Sequence, residues 1–258
     1  TGDHTDEDIN TLKGRVKAKA KPRAVCLYAT RAAVDTANGR EFQKLEKDKQ
    51  QDEIFDCIAD DRYEGGTFEA SPLANAYMRA EDTGGLQTKL VVCVGTRVML
   101  RLNLRIEDGL TNGACGYITE IDSDEHRVVS TIYVQFDGEV GKLTMSEFGG
   151  SSVAIAPHTM RFTGKDGKTV RRRQFPLVHA WSKTIHKSQG ATEREGVKTR
   201  LDKKKGRALA YVAFSRCQTL NDLSLDGFNA DSIQPAVGVQ WAINQLLLQQ
   251  AKSKDTST

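Results

Sequence analysis

Leu177-Val178-His179-Ala180-Trp181 is a short, largely apolar run that passes with no turn residue into Ser182-Lys183-Thr184-Ile185-His186-Lys187-Ser188-Gln189-Gly190-Ala191-Thr192. A run of that length predicts a buried strand. The hydroxyl, imidazole, ammonium and amide groups behind it make little sense as packing. Gly190 leaves backbone N–H groups open beside many short-reach donors, which is the chemistry that holds phosphates. A second unit of this kind lies near the start of the chain. Ala24-Val25-Cys26-Leu27-Tyr28-Ala29 is a continuous apolar run suited to a buried parallel strand, and Thr30 caps a predicted helix through about Leu45. Together the two units point to an α/β architecture.

Ala210-Tyr211-Val212-Ala213-Phe214 is again apolar and ends in Ser215-Arg216, which delivers a planar, permanently charged guanidinium to a fixed place. The pair TIHKSQG and AYVAFSR resembles motifs V and VI of superfamily 1 helicases, and is most similar to the Pif-type DNA helicases, relatives of RecD. Further residues carry the same resemblance: Val94 to Leu100 with Asn103, then Gly109-Leu110-Thr111-Asn112-Gly113-Ala114-Cys115-Gly116, the opening Thr5-Asp6-Glu7-Asp8-Ile9, and the Thr30, Val34, Asn38 pattern. The resemblance runs from near residue 1 to about residue 228.

The resemblance implies a RecA-like parallel-sheet domain (2A) formed by residues 1–112 and 176–258, with a small SH3-like β-barrel (2B) inserted at 113–175. It implies the second motor domain of an ATP-dependent 5′-to-3′ DNA helicase, using ATP and Mg²⁺. Arg216 would be the catalytic arginine finger. Gln189 and Gly190 would approach the γ-phosphate, and Glu193 the nucleotide ribose. Thr184, His186, Lys187 and Ser188 would contact single-stranded DNA. Asn103, Asn112 and Thr30 are further candidate DNA contacts, although turn chemistry accounts equally for the two asparagines and helix capping for Thr30. A salt bridge is the rival role for Arg216. His186 has no second ligand at metal-binding spacing, so no metal site is expected. The expected partners are single-stranded DNA, DNA forks and an N-terminal RecA-like domain of the same protein. The expected location is intracellular, in the nucleus or mitochondrion if the source is eukaryotic.

A helicase of this kind needs a G-x-x-x-x-G-K-[ST] loop for the phosphates and an acidic pair for Mg²⁺, and neither is found in the sequence. The one Gly-Lys-Thr, Gly167 to Thr169, has Phe162 where the first Gly must stand, and it sits in a polar run that reads as a hairpin turn. The chain therefore reads as the C-terminal half of a helicase core, with the Mg²⁺ ligands in the other half. The competing reading is a non-catalytic nucleic-acid-binding or regulatory module that has lost ATPase chemistry; an adaptor binding peptides through the β-barrel is a third.

Bulk properties narrow this little. A formal charge of +3, from 37 basic and 34 acidic residues, is too small to imply nucleic acid. The five cysteines, at 26, 57, 93, 115 and 217, lack ligand spacing and are expected as reduced thiols with no disulfide-linked partner. No apolar run approaches the roughly 20 residues of a membrane span, and no membrane partner is expected. Along the chain, Thr5 and Asp8 predict a capped helix. Lys13, Arg15, Lys17, Lys19, Lys21 and Arg23 alternate strictly, which on an extended segment sets six cations on one side, as a solvated linker or a nucleic-acid arm. Residues 46–90 read as a helix followed by a long irregular connection, with Asp52, Glu53, Asp56, Asp60 and Asp61 as a solvated face. Tyr117 to Ile121, Val128 to Phe136, Lys142 to Met145 and Val170 to Phe175 are predicted strands. Gly196 to Asp202 departs from the apolar strand that the family carries there, Lys203 to Lys205 read as exposed, and Val237 to Leu248 as a docking helix before a Lys/Ser/Thr tail.

Overall fold

The computed structural model describes residues 5–16, 18–64, 80–190, 192–201 and 209–229. In chain order the elements are α1 (Asp6–Lys13), β1 (Val25–Tyr28), α2 (Arg31–Lys47), β2 (Phe55–Ile58), β3 (Asp60–Tyr63), β4 (Lys89–Val92), β5 (Arg97–Leu100), β6 (Cys115–Ser123) and β7 (Val129–Phe136). They continue with α3 (Lys142–Phe148), β8 (Val153–Ile155), β9 (His158–Thr163), β10 (Thr169–Gln174), β11 (Leu177–His179), β12 (Ser182–Thr184), β13 (Val197–Leu201), α4 (Leu209–Phe214) and β14 (Leu223–Phe228). The fold is mixed α/β, and the chain divides into two compact units, residues 1–37 with 182–258 and residues 38–181. That division lies outside the 113–175 limits expected for the insert.

The first unit is built on a parallel sheet in the order β12-β1-β13-β14. β1 is central, and Val25 and Leu27 face a core shared with Ile185, Val197, Leu209, Ala213 and Leu225. β13 forms despite its charged sequence, because the alternation of period two turns Val197, Thr199 and Leu201 inward. The Thr199 hydroxyl donates to Leu27 O at 2.9 Å, which satisfies the one polar group so buried. Thr5 and Asp8 close the predicted capping box on α1. The basic run that follows does not make a one-sided cationic strip: Lys13 ends α1, Arg15 donates to Leu223 O and Asn221 O, and Lys21 pairs with Asp222 at 2.6 Å. Val16 bridges in parallel to Leu225, so this segment extends the sheet beyond β14.

The second unit holds a five-stranded sheet, order β11-β5-β6-β7-β8, with antiparallel pairing throughout. Its core contains Leu90, Val92, Leu100, Ile118, Ile132, Val134, Ile155 and Leu177. A three-stranded sheet, β3-β10-β9, and the pair β2-β4 complete it. The expected strand at 117–121 falls within β6, those at 128–136 and 170–175 match β7 and β10 to within one residue at each end, and Leu177 to His179 joins the antiparallel sheet.

Three expectations are corrected. Lys142 to Met145 belongs to helix α3, because the Asp108 carboxylate accepts from Leu143 N and Thr144 N at 2.9 and 2.8 Å and caps the helix from a distant loop. Burial alone would raise the Asp108 carboxyl, but a hydrogen bond from the Thr144 hydroxyl together with those two backbone bonds outweighs it and holds the group below its ordinary range. Residues 46–90 include β2, β3 and β4 rather than an irregular connection alone. Asp61 is not on a solvated face: it is 1% exposed and takes two hydrogen bonds, at 2.7 Å each, from the buried Arg172 guanidinium. The Gly167-Lys168-Thr169 triplet does turn the β9–β10 hairpin, with Gly167 at φ +79° and Gly164 N donating to Lys168 O at 2.8 Å. Lys203 to Lys205, the docking helix at 237–248 and the tail lie outside the described residues.

Candidate nucleotide and strand site

The candidate residues of the first unit gather where β12 ends. Tyr28 pairs with Thr184, so Thr30 and His186 both lie just past the carboxyl ends of neighbouring parallel strands. Ligands of open α/β sheets bind in such a place. Ile185 N donates to Tyr28 O at 2.9 Å, which ties the turn to β1. His186–Ser188 then make one 3-10 turn, and Gln189 returns to extended backbone.

This turn divides its side chains sharply. His186, Lys187, Gln189 and Gly190 are exposed, whereas Thr184 and Ser188 are buried. The buried hydroxyls have backbone partners: Thr184 Oγ1 accepts from Lys187 N at 3.3 Å, and Ser188 Oγ donates to Ile185 O at 2.7 Å. Their place is to shape the turn, while His186, Lys187 and Gln189 present their side chains. Gly190 adopts φ +84°, and among the described residues nothing lies within 4 Å of where a Cβ would stand. Its demand is thus conformational rather than spatial.

Arg216 lies two residues beyond the end of α4, half-buried, and its guanidinium faces the same turn. Nε donates to Val212 O at 3.0 Å, Nη1 to Ser188 O at 3.2 Å and Nη2 to Ser215 Oγ at 2.9 Å. A backbone bond from Glu193 N to Arg216 O, 2.9 Å, closes the connection from the other side. Arg216 therefore sits beside Ser188, Gln189 and Gly190, as the two sequence segments implied.

Glu193 has a partner within the chain. Its carboxylate meets Lys183 Nζ at 2.7 Å, with the two side chains 12% and 6% exposed. This ion pair joins β12 to the far end of the turn-bearing loop. Sequence reasoning missed Lys183, yet a signal was present: a lone ammonium between Ser182 and Thr184, in a strand whose other two residues are also buried.

Thr30 is exposed, and its hydroxyl accepts from Ala33 N at 3.4 Å as a helix cap. Asn103 and Asn112 belong to the second unit and are both exposed or half-exposed. Asn103 Oδ1 accepts from Asn112 N at 2.8 Å, so its side chain closes the loop between β5 and β6. Among the described residues no group of three or more His, Cys, Asp or Glu is arranged to hold a metal ion. No described helix is long and apolar enough to cross a membrane.

No protein-family model matches the chain. Among curated proteins, it is 28% identical over 250 residues to the ATP-dependent DNA helicase PIF7 of Trypanosoma brucei brucei, covering 89% of this chain and 23% of that protein. It is 34% identical over 152 residues to the human ATP-dependent DNA helicase PIF1, covering 58% of this chain and 20% of that protein. Among solved structures, the Pif1 helicase from Candida albicans superposes with a TM-score of 0.69 at 25% identity, over 95% of this chain and 55% of that one. The Bacteroides Pif1 helicase in complex with ADP-AlF3 and single-stranded DNA superposes with a TM-score of 0.63 at 19% identity, over 96% and 51%. The chain thus spans about a fifth of the length of these curated relatives and about half that of these solved structures.

Proposed function

Because this chain is a homologue of the Pif1-family ATP-dependent DNA helicases, we propose that it is the second, RecA-like motor domain of such an enzyme. In this reading the β-rich residues 113–175 form the inserted SH3-like module, and the chain lends its half of a composite ATPase site to an N-terminal RecA-like domain. The observation that carries the proposal is the juxtaposition of Arg216 with the Ser188-Gln189-Gly190 turn, through the 3.2 Å bond from its Nη1 to Ser188 O.

The residues present suit a polyphosphate. Gly190 carries no side chain, the Gln189 amide is exposed, and Val212 O and Ser188 O, to which Arg216 donates, are neutral acceptors that a phosphate oxygen would outcompete. Bound ATP with Mg²⁺ supplies the phosphoryl group that is transferred, and the Mg²⁺ ligands belong to the partner half. Arg216 stabilises the negative charge that grows on the γ-phosphoryl oxygens, Gln189 donates its amide toward them, and Gly190 keeps the approach clear. Glu193, held by Lys183, positions Arg216 through its backbone rather than reaching a ribose. His186 and Lys187 contact single-stranded DNA, and Thr184 and Ser188 shape the turn that presents them. Closure of the domains around nucleotide would shift this grip along the strand, 5′ to 3′.

The bonds from Arg216 to Val212 O, Ser188 O and Ser215 Oγ favour a second reading, in which it is a structural clasp in a non-catalytic DNA-binding module. Strand binding tests the shared part of both. His186→Ala with Lys187→Ala should weaken binding of oligo-dT and flatten log K against log[salt] by about 0.7 for each phosphate no longer neutralised. An unchanged slope would remove this turn from the strand path.

A further inference from the structure

The sheet β3-β10-β9 carries a second feature, independent of the ATPase reading. Strand alternation splits Arg171-Arg172-Arg173: Arg172 turns inward to Asp61, and Arg171 and Arg173 turn to solvent. The register places Arg171 directly opposite Arg62 on one side and Arg161 on the other. Three arginines therefore stand in one row across three strands, all exposed, with strands about 4.8 Å apart. Like charges directly opposite one another destabilise a sheet, so this row is not accounted for by folding.

Its compensation is incomplete. Arg62 pairs with Asp60, its own neighbour along the strand, and Arg161 with Glu64, with the two arginines 63% and 68% exposed. Ion pairs so exposed are weak and readily exchanged for a stronger anion. Arg171 and Arg173 have no side-chain partner among the described residues. The rest of this face is Thr159, Thr163 and Thr169, small hydroxyls that donate to phosphate without blocking it. Among the described residues this face presents no aromatic ring, the group on which unpaired bases stack.

We propose that the solvent face of β3-β10-β9 binds the sugar-phosphate backbone of duplex nucleic acid, with Arg62, Arg161 and Arg171 on successive phosphates and Arg173 beside them. Cationic and, among the described residues, free of rings, the face suits a helix whose bases are already stacked and whose outer surface is phosphate.

The test compares the 258-residue chain with R62Q/R161Q/R171Q, titrating a blunt duplex, an oligo-dT strand and poly-glutamate over a range of salt. With three phosphates no longer neutralised, the duplex slope of log K against log[salt] should flatten by about 2.7, with oligo-dT affinity unchanged and melting temperature no lower than the parent's. A duplex slope equal to the parent's overturns the proposal, as does failure of the parent chain to bind duplex. An equal loss on oligo-dT, or a loss confined to poly-glutamate, also overturns it. Should the glutamine variant melt lower, R62K/R161K/R171K decides: it keeps the charges, so it must keep the parent's duplex slope, and a flattened slope counts against the face. Variants of His186 and Lys187 should leave duplex binding through this face intact, so failure here is distinct from failure of the motor reading.

Discussion

Removing one member of the Lys183–Glu193 pair should be far more damaging than removing both. The two charged groups are 2.7 Å apart, with side chains only 6% and 12% exposed. Lys183 lies in β12, paired to Leu27 of the central strand, and Glu193 N holds Arg216 O. Lys183→Met keeps the length and apolar stem of the side chain but leaves the Glu193 carboxylate poorly solvated and unpaired. Breaking a buried pair in this way costs about 3–5 kcal/mol, and the residual exposure of Glu193 puts this one near about 3. Lys183→Met with Glu193→Met removes both desolvation penalties and should lie within about 1 kcal/mol of the parent. The difference appears as a coupling of about 2 kcal/mol or more in a double-mutant cycle, measured by urea unfolding at neutral pH. If Lys183→Met lies within about 0.5 kcal/mol of the parent, the pair behaves as a solvated surface contact. If the double variant is as unstable as the sum of the singles, the interaction is absent.

Gly196 adopts φ +89°, and a Cβ there would stand 2.8 Å from Asp222 O, so Gly196→Ala should destabilise by about 1–3 kcal/mol in thermal unfolding. His179 is half-buried and stacked on Phe42, with ring centroids 4.7 Å apart, and desolvation holds its pKa below the ordinary value although Nε2–H donates to Val91 O. The unfolded chain thus binds more protons than the folded one as pH falls below about 6.5. Stability should drop between neutral pH and about pH 5, and His179→Phe should flatten that decline; an equally steep decline in the variant refutes the assignment. Asp108→Asn keeps the shape of the remote cap on α3 but gives up the charge that accepts from Leu143 N and Thr144 N. It should cost about 1 kcal/mol, seen as faster hydrogen exchange at those two amides.

Elements specified by local pattern were legible in the sequence, and those specified by distant partners were not. β1 and α2 follow from an apolar run and a capping Thr30, and α1 from Thr5 and Asp8 alone. Lys142 to Phe148 carries no N-cap of its own and begins after Gly141 at φ +81°, so its helix depends on Asp108, which stands 35 positions before Leu143. β2 finds its partner β4 across a long intervening stretch of sequence, and Asp61 finds Arg172 across a separation of 111 residues; neither link leaves a local trace. At the site, the order of residues pointed to both Arg216 and the Gln189-Gly190 turn, and Arg216 Nη1 donates to Ser188 O beside that turn. It did not separate Thr184 and Ser188, which turn inward, from His186 and Lys187, which do not. That separation follows from the 3-10 turn, whose sequence is too short to display a period.

The central claim is that Arg216 completes an ATPase site shared with another domain. Its most direct test is DNA-stimulated ATP turnover in the helicase containing this chain, comparing parent and Arg216→Lys, with nucleotide affinity and melting temperature taken on the same preparations. Lysine keeps the charge and loses the planar fork. Turnover should fall by roughly 10³-fold or more while nucleotide affinity and melting temperature hold near the parent's. Undiminished turnover, or a loss of turnover that only follows a fall in melting temperature, would contradict the claim.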